Sequence, residues 1–179
     1  MWLAVEEQFR LPVGKDRFWS IVQDMATHNR RHPVREYLDS LTWDGKPRID
    51  RWLSHYFGAD DTPYTQAVGA IVLMAAVRRI RKPGCKFDEM LVLEGKQGTM
   101  KSTALATLTG PPEWFSDDLP LNAPTQKFIE ATAGKWIVEA GELKGMRKGD
   151  VESLKSCLSR QMDRARMAWG RLPLERERQ

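Results

Sequence analysis

The sequence predicts an α/β fold built around a strand, a glycine-containing loop and a helix, with an all-helical region in front of it. Three observations predict it. The apolar run Met90 to Leu93 leads into Gly95-Lys96-Gln97-Gly98-Thr99-Met100-Lys101-Ser102-Thr103 and then a helix reaching about Leu108. A second buried-strand pattern, Trp136-Ile137-Val138, ends at the acids Glu139 and Glu142. Before Lys82, by contrast, apolar residues recur at helical spacing between capping and turn residues. The change from helical to strand-helix patterning sets a boundary there, with 1–82 helical and 83–179 α/β.

In the helical region, Trp2, Val5 and Phe9 give an amphipathic start with no preceding cap, which predicts that the chain begins inside a longer protein. Asp16 is placed to cap a second helix carrying Phe18, Trp19, Val22 and Met25. Two short helices around a turn also suit a DNA-reading pair, but core packing is the preferred explanation. His28 and His32 read as surface residues, because Pro33 keeps them off one regular helix face. Pro33 opens a helix with Val34, Tyr37, Leu38 and Leu41 inward, and Asp44-Gly45 makes a tight turn. Ile49, Trp52, Leu53, Tyr56 and Phe57 form the next stripe, stopped by Gly58. Thr62 and Pro63 then start the longest helix, with Arg78 to Lys82 in its last turn. Its middle is apolar all round, which predicts burial.

In the second region the loop from Gly95 to Thr103 carries the chemistry. Consecutive backbone N–H groups closed by a helix N-terminus form a positive concavity suited to a phosphate. Lys101 is placed for the β- and γ-phosphates of ATP and the Ser102 hydroxyl for Mg²⁺. The full pattern G-x-x-x-x-G-K-[ST] has its second glycine where this chain has Met100. A short strand is expected at Trp114 to Ser116, and a helix from Ala123 to Ala133 with Phe128 and Ile129 inward, closed by Gly134. After the second apolar run, Glu139 is expected to hold the metal or its water and Glu142 to orient the attacking water. Their spacing leaves the two roles interchangeable. Asp150 is expected to cap a helix with Val151, Leu154, Cys157 and Leu158 on one face. Arg164, Arg166 and Arg171 follow, as phosphate-sensing or subunit-bridging arginines or as plain surface residues. No apolar strand-like run follows Leu158, and Glu175 to Gln179 reads as a charged tail.

Composition narrows the function classes. With 179 residues the chain can bury a real core, and a net charge of +4 is compatible with a nucleic-acid partner without requiring one. Cys85 and Cys157 lack partners at metal-ligand spacing, which suggests a reducing cytoplasm rather than a disulfide or zinc framework. The longest apolar run, Ala67 to Val77, is far short of the roughly 20 residues of a membrane span, so a soluble protein is expected.

Several stretches together resemble the virulence-associated E family, ATPases related to phage and plasmid primase-helicase proteins. They are His32-Pro33-Val34-Arg35-Glu36-Tyr37-Leu38, Leu41-Thr42-Trp43-Asp44-Gly45, Arg81-Lys82-Pro83-Gly84-Cys85-Lys86, Glu94 to Thr103, Glu139-Ala140-Gly141-Glu142-Leu143, and Asp163-Arg164-Ala165-Arg166 with Gly170-Arg171. The resemblance implies an AAA-like P-loop NTPase core behind the helical region, and a role in mobile-element DNA replication or a helicase-type activity. Single-stranded or origin DNA and further copies of the chain are the implied partners. It also implies that the core is C-terminally truncated, with hydrolysis impaired, because the family continues past Arg171. In that fold a later strand inserts between the loop strand and the one ending at Glu139, so those two are not expected to pair. A catalytically inactive nucleic-acid-binding or oligomerisation remnant is the main rival. A small-molecule kinase is disfavoured because no acceptor-binding motif is recognisable.

Overall fold

The computed structural model describes residues 2–10, 12–119, 124–141, 148–166 and 173–178, with the side chains of 148 and 150 left aside. Five helices come first: α1 (Trp2–Phe9), α2 (Lys15–His28), α3 (Pro33–Ser40), α4 (Trp52–Phe57) and α5 (Pro63–Arg81). Their ends follow local chemistry. Thr62 caps α5 by accepting from the Thr65 N–H at 3.2 Å, with Pro63 in the first turn and Arg78, Arg79 and Arg81 in the last. His32 has a role beyond a surface residue, since its Nδ1 accepts from the Arg35 N–H at 3.2 Å and caps α3. Asp16 is not a cap: α2 starts one residue earlier, behind Gly14, and Asp16 instead places its charge in the first turn.

The helical core forms where α5 meets α3 and α4. Val34, Trp52, Leu53, Ala75 and Ile80 are buried there. Gly69 is needed for close approach, because a Cβ at that position would lie 2.8 Å from Trp52 Nε1. Arg35 ties α3 to α5 by donating from Nη2 to the Ile80 carbonyl at 2.9 Å. Burial of α5 is one-sided, contrary to the sequence expectation: Ile71 and Met74 are exposed. At about 1.5 Å per residue, the 8 residues of α3 and 6 of α4 are too short to cover a helix of 19. Leu41 and Tyr56, expected inward, are also exposed.

The second half mixes helices with two small sheets. Helix α6 (Lys101–Thr109) packs against a parallel pair, β1 (Phe115–Ser116) and β2 (Ile137–Val138), in the register Phe115 with Ile137 and Ser116 with Val138. The ladder is extended by Trp136 N–H to the Trp114 carbonyl and Glu139 N–H to the Ser116 carbonyl, both 2.7 Å. The expected strand at Met90 to Leu93 is not formed; these residues carry no strand pairing. Apolar character suits burial, but a strand also needs a neighbouring backbone edge, and β2 has its partner in β1. The expected absence of pairing between that run and β2 agrees with this arrangement.

Helix α7 (Thr125–Thr132) buries Ile129, and α8 (Lys148–Leu158) buries Leu154. Asp150 lies inside α8, so it is not the cap. The largest departure from expectation comes next, where β3 (Met162–Ala165) and β4 (Leu174–Glu177) pair antiparallel. This charged hairpin encloses Asp163, 2% exposed, and Arg178, 8% exposed, as an ion pair. Arg178 donates from Nε to Asp163 Oδ2 at 3.0 Å and from Nη2 to Oδ1, and from Nη1 to the Cys157 carbonyl. Its guanidinium also lies 4.7 Å from the centre of the Phe128 ring. Burial works against the Arg178 charge, but the Asp163 carboxylate outweighs it and holds the pKa above the ordinary arginine value. Among the described residues no helix is long and apolar enough to cross a membrane.

Candidate nucleotide site

The Gly95 to Thr103 segment turns from the unpaired run into α6, and two residues bend it. Gly98 has φ +80°, and Met100, the residue before the helix, has φ 57° and ψ 29°. That is the left-handed region, which glycine enters freely and an L side chain enters at a cost of about 1–2 kcal/mol. The bend places Lys101 at the first position of α6 with its side chain folded back over the loop. Its Nζ donates to the Gly95 carbonyl at 3.3 Å, the Lys96 carbonyl at 3.0 Å and Thr99 Oγ1 at 3.3 Å.

One residue further on, Ser102 Oγ donates to Glu139 Oε1 at 2.8 Å. Glu139 stands just beyond β2, held by its own N–H on the Ser116 carbonyl, so the parallel ladder aims a carboxylate at the start of α6. Its second oxygen, Oε2, is buried and has no hydrogen-bond partner among the described residues. A buried carboxylate oxygen without a partner is costly. A divalent cation beside Ser102 would satisfy it, and an oxygen-only set of one carboxylate and one hydroxyl suits Mg²⁺, which keeps most of its ligands as water and phosphate. Ser102 and Glu139 therefore fit the group. Among the described residues no cluster of three or more His, Cys, Asp or Glu could hold a metal by itself.

Lys101, Gly95, Gln97 and Glu139 share the wall of an open cleft of about 1560 Å³, with apolar side chains from α5, the 90–93 run and β2. Thr103 is exposed on the first turn of α6. Arg164 and Arg166, expected as phosphate-sensing or subunit-bridging arginines, are not among the residues walling this cleft; Arg164 is exposed on β3. Glu142 and Arg171 lie outside the described residues. The Thr99 hydroxyl is a contact that sequence reasoning missed, since the pattern assigns that position only a backbone role.

A family model for the virulence-associated protein E-like domain matches residues 38–179, most of the chain. The chain belongs to the virulence-associated protein E-like family. No curated protein matches it. The virulence-associated protein E-like match takes in the whole loop, both sheets and α4 to α8, and leaves α1, α2 and the start of α3 outside.

Proposed function

We propose that this domain binds ATP with Mg²⁺ at the Gly95 to Thr103 loop, as the nucleotide-driven part of a mobile-element DNA replication or helicase-type protein. The observation that carries the reading is the 2.8 Å hydrogen bond that Ser102 donates, beside a lysine-capped loop, to the Glu139 carboxylate, whose other oxygen is buried with no partner among the described residues. A solvent-facing serine needs no carboxylate held against it. A serine that shares a metal with one does.

In this reading, the backbone N–H groups of Gly98 to Lys101 cradle the phosphates and Lys101 offsets the charge of the β- and γ-phosphates. Ser102 and Glu139 hold Mg²⁺, which when bound neutralises phosphate oxygens and supports their displacement. Glu142 orients the attacking water, and Arg164 and Arg166 act across a subunit boundary of a homo-oligomer. DNA, single-stranded or at an origin, is the macromolecular partner. A specific observation favours the rival, a nucleotide-free remnant: Met100 sits strained in the loop with its side chain 66% exposed.

Titration calorimetry with ATP and Mg²⁺ separates the two. Wild type should bind, and Lys101→Ala should lose most of the affinity because the cation facing the phosphates is gone. Equal affinities would end the nucleotide reading.

A further inference from the structure

We propose that Thr99, through its hydroxyl rather than its backbone, positions Lys101 for a phosphate group. The proposal rests on the nucleotide-binding reading of this loop. A lysine ammonium has three donors and no acceptor. Here Nζ reaches three acceptors within the loop, at Gly95 O, Lys96 O and Thr99 Oγ1, the last two close enough together to share one of its protons. Two of these are backbone carbonyls that any sequence would offer. The third is the only side chain in the set.

The hydroxyl's own role is fixed by its other bond. Thr99 Oγ1 donates to the Lys96 carbonyl at 2.9 Å, which commits its single proton and leaves its lone pairs for the ammonium. Lys96 O, Thr99 Oγ1 and Lys101 Nζ thus close a triangle of hydrogen bonds across the mouth of the loop. Gly95 completes the cradle through its carbonyl, which accepts from Lys101 Nζ. An unheld lysine would sample many rotamers and would have to be ordered as the ligand arrives. Held in the cradle, it exchanges one acceptor for a phosphate oxygen without that loss, which is preorganisation.

Thr99→Val keeps the branched shape and removes the hydroxyl, whereas Thr99→Ser keeps the hydroxyl. A hydrogen bond to a charged group contributes about a factor of ten, and less where water competes, so Thr99→Val should weaken Mg²⁺–ATP binding by about fivefold. Thr99→Ser should stay close to wild type. Thr99→Val binding like wild type, or Thr99→Ser as weak as Thr99→Val, would overturn the proposal. A second measurement needs no nucleotide: acetic anhydride labelling followed by mass spectrometry, with the exposed Lys46 as internal reference. The Lys101 ammonium must leave its acceptors before it reacts, so its labelling should speed up in Thr99→Val and not in Thr99→Ser. Unchanged Lys101 labelling in Thr99→Val would overturn the cradle. If wild type bound no Mg²⁺–ATP, the nucleotide reading would fail while the labelling still decided whether the hydroxyl holds the lysine.

Discussion

Met100 departs from the phosphate-loop pattern in sequence, and its backbone shows what the departure costs. At φ 57° and ψ 29° it occupies a region that costs an L residue about 1–2 kcal/mol and glycine almost nothing. Met100→Gly should therefore relieve strain in the loop and remove a side chain from its mouth. The strain is present before any ligand arrives, so its relief should appear as stability, and the freed loop mouth as tighter ATP binding; unchanged or weaker binding by titration would show a loop adapted to methionine. The positions of Lys101, Ser102 and Glu139 were legible in the sequence because each sits at a junction of chain patterns: loop to helix, or strand to loop. The Thr99 cradle and the unpaired Glu139 oxygen were not. They depend on side-chain distances that no spacing along the chain encodes.

The hairpin of β3 and β4 marks where pattern reading fails at the scale of elements. Asp163 and Arg178 are buried by pairing with each other rather than by being apolar, so a search for apolar alternation sees only a charged tail. Met90 to Leu93 fails in the opposite sense, being apolar but unpaired. Two helices were legible because their signals are local: Thr62 with Pro63 starts α5, and Ile129 anchors α7, whereas the caps expected for α2 and α8 fell inside those helices. The ion pair gives a sharp prediction. Removing one partner of a buried pair costs about 3–5 kcal/mol, so Arg178→Met should lower the melting temperature by about 6–20 °C at roughly 2–4 °C per kcal/mol. Adding Asp163→Leu should restore part of that loss, because the stranded carboxylate is then gone too. An Arg178→Met melt matching wild type would show that the pair contributes nothing to the hairpin.

Across the whole molecule, the helical and α/β regions share an aromatic joint. Tyr37 of α3 lies 5.4 Å from Trp114 and 6.3 Å from Trp136, and Trp136 Nε1 donates to the Ala76 carbonyl of α5 at 3.1 Å. Within the α/β region the hairpin is tied to the segment after α5, from Gly84 N–H to the Arg178 carbonyl at 2.8 Å. Helices α1 and α2 contribute little to this body, with Phe18 their one buried residue among those described. With a net charge of +4, DNA binding should rest on scattered phosphate contacts. Affinity for single-stranded DNA should then fall steeply between low and high salt and vary little with base sequence; a salt-independent affinity would contradict that partner. The assignment of Ser102 and Glu139 as a metal-nucleotide pair is tested most directly by ATP affinity with Mg²⁺ and with a chelator, in wild type and in Glu139→Gln. Wild type should bind ATP more tightly with Mg²⁺, and Glu139→Gln should lose that gain. Equal wild-type affinity in both conditions, or a gain that survives in Glu139→Gln, would contradict the assignment.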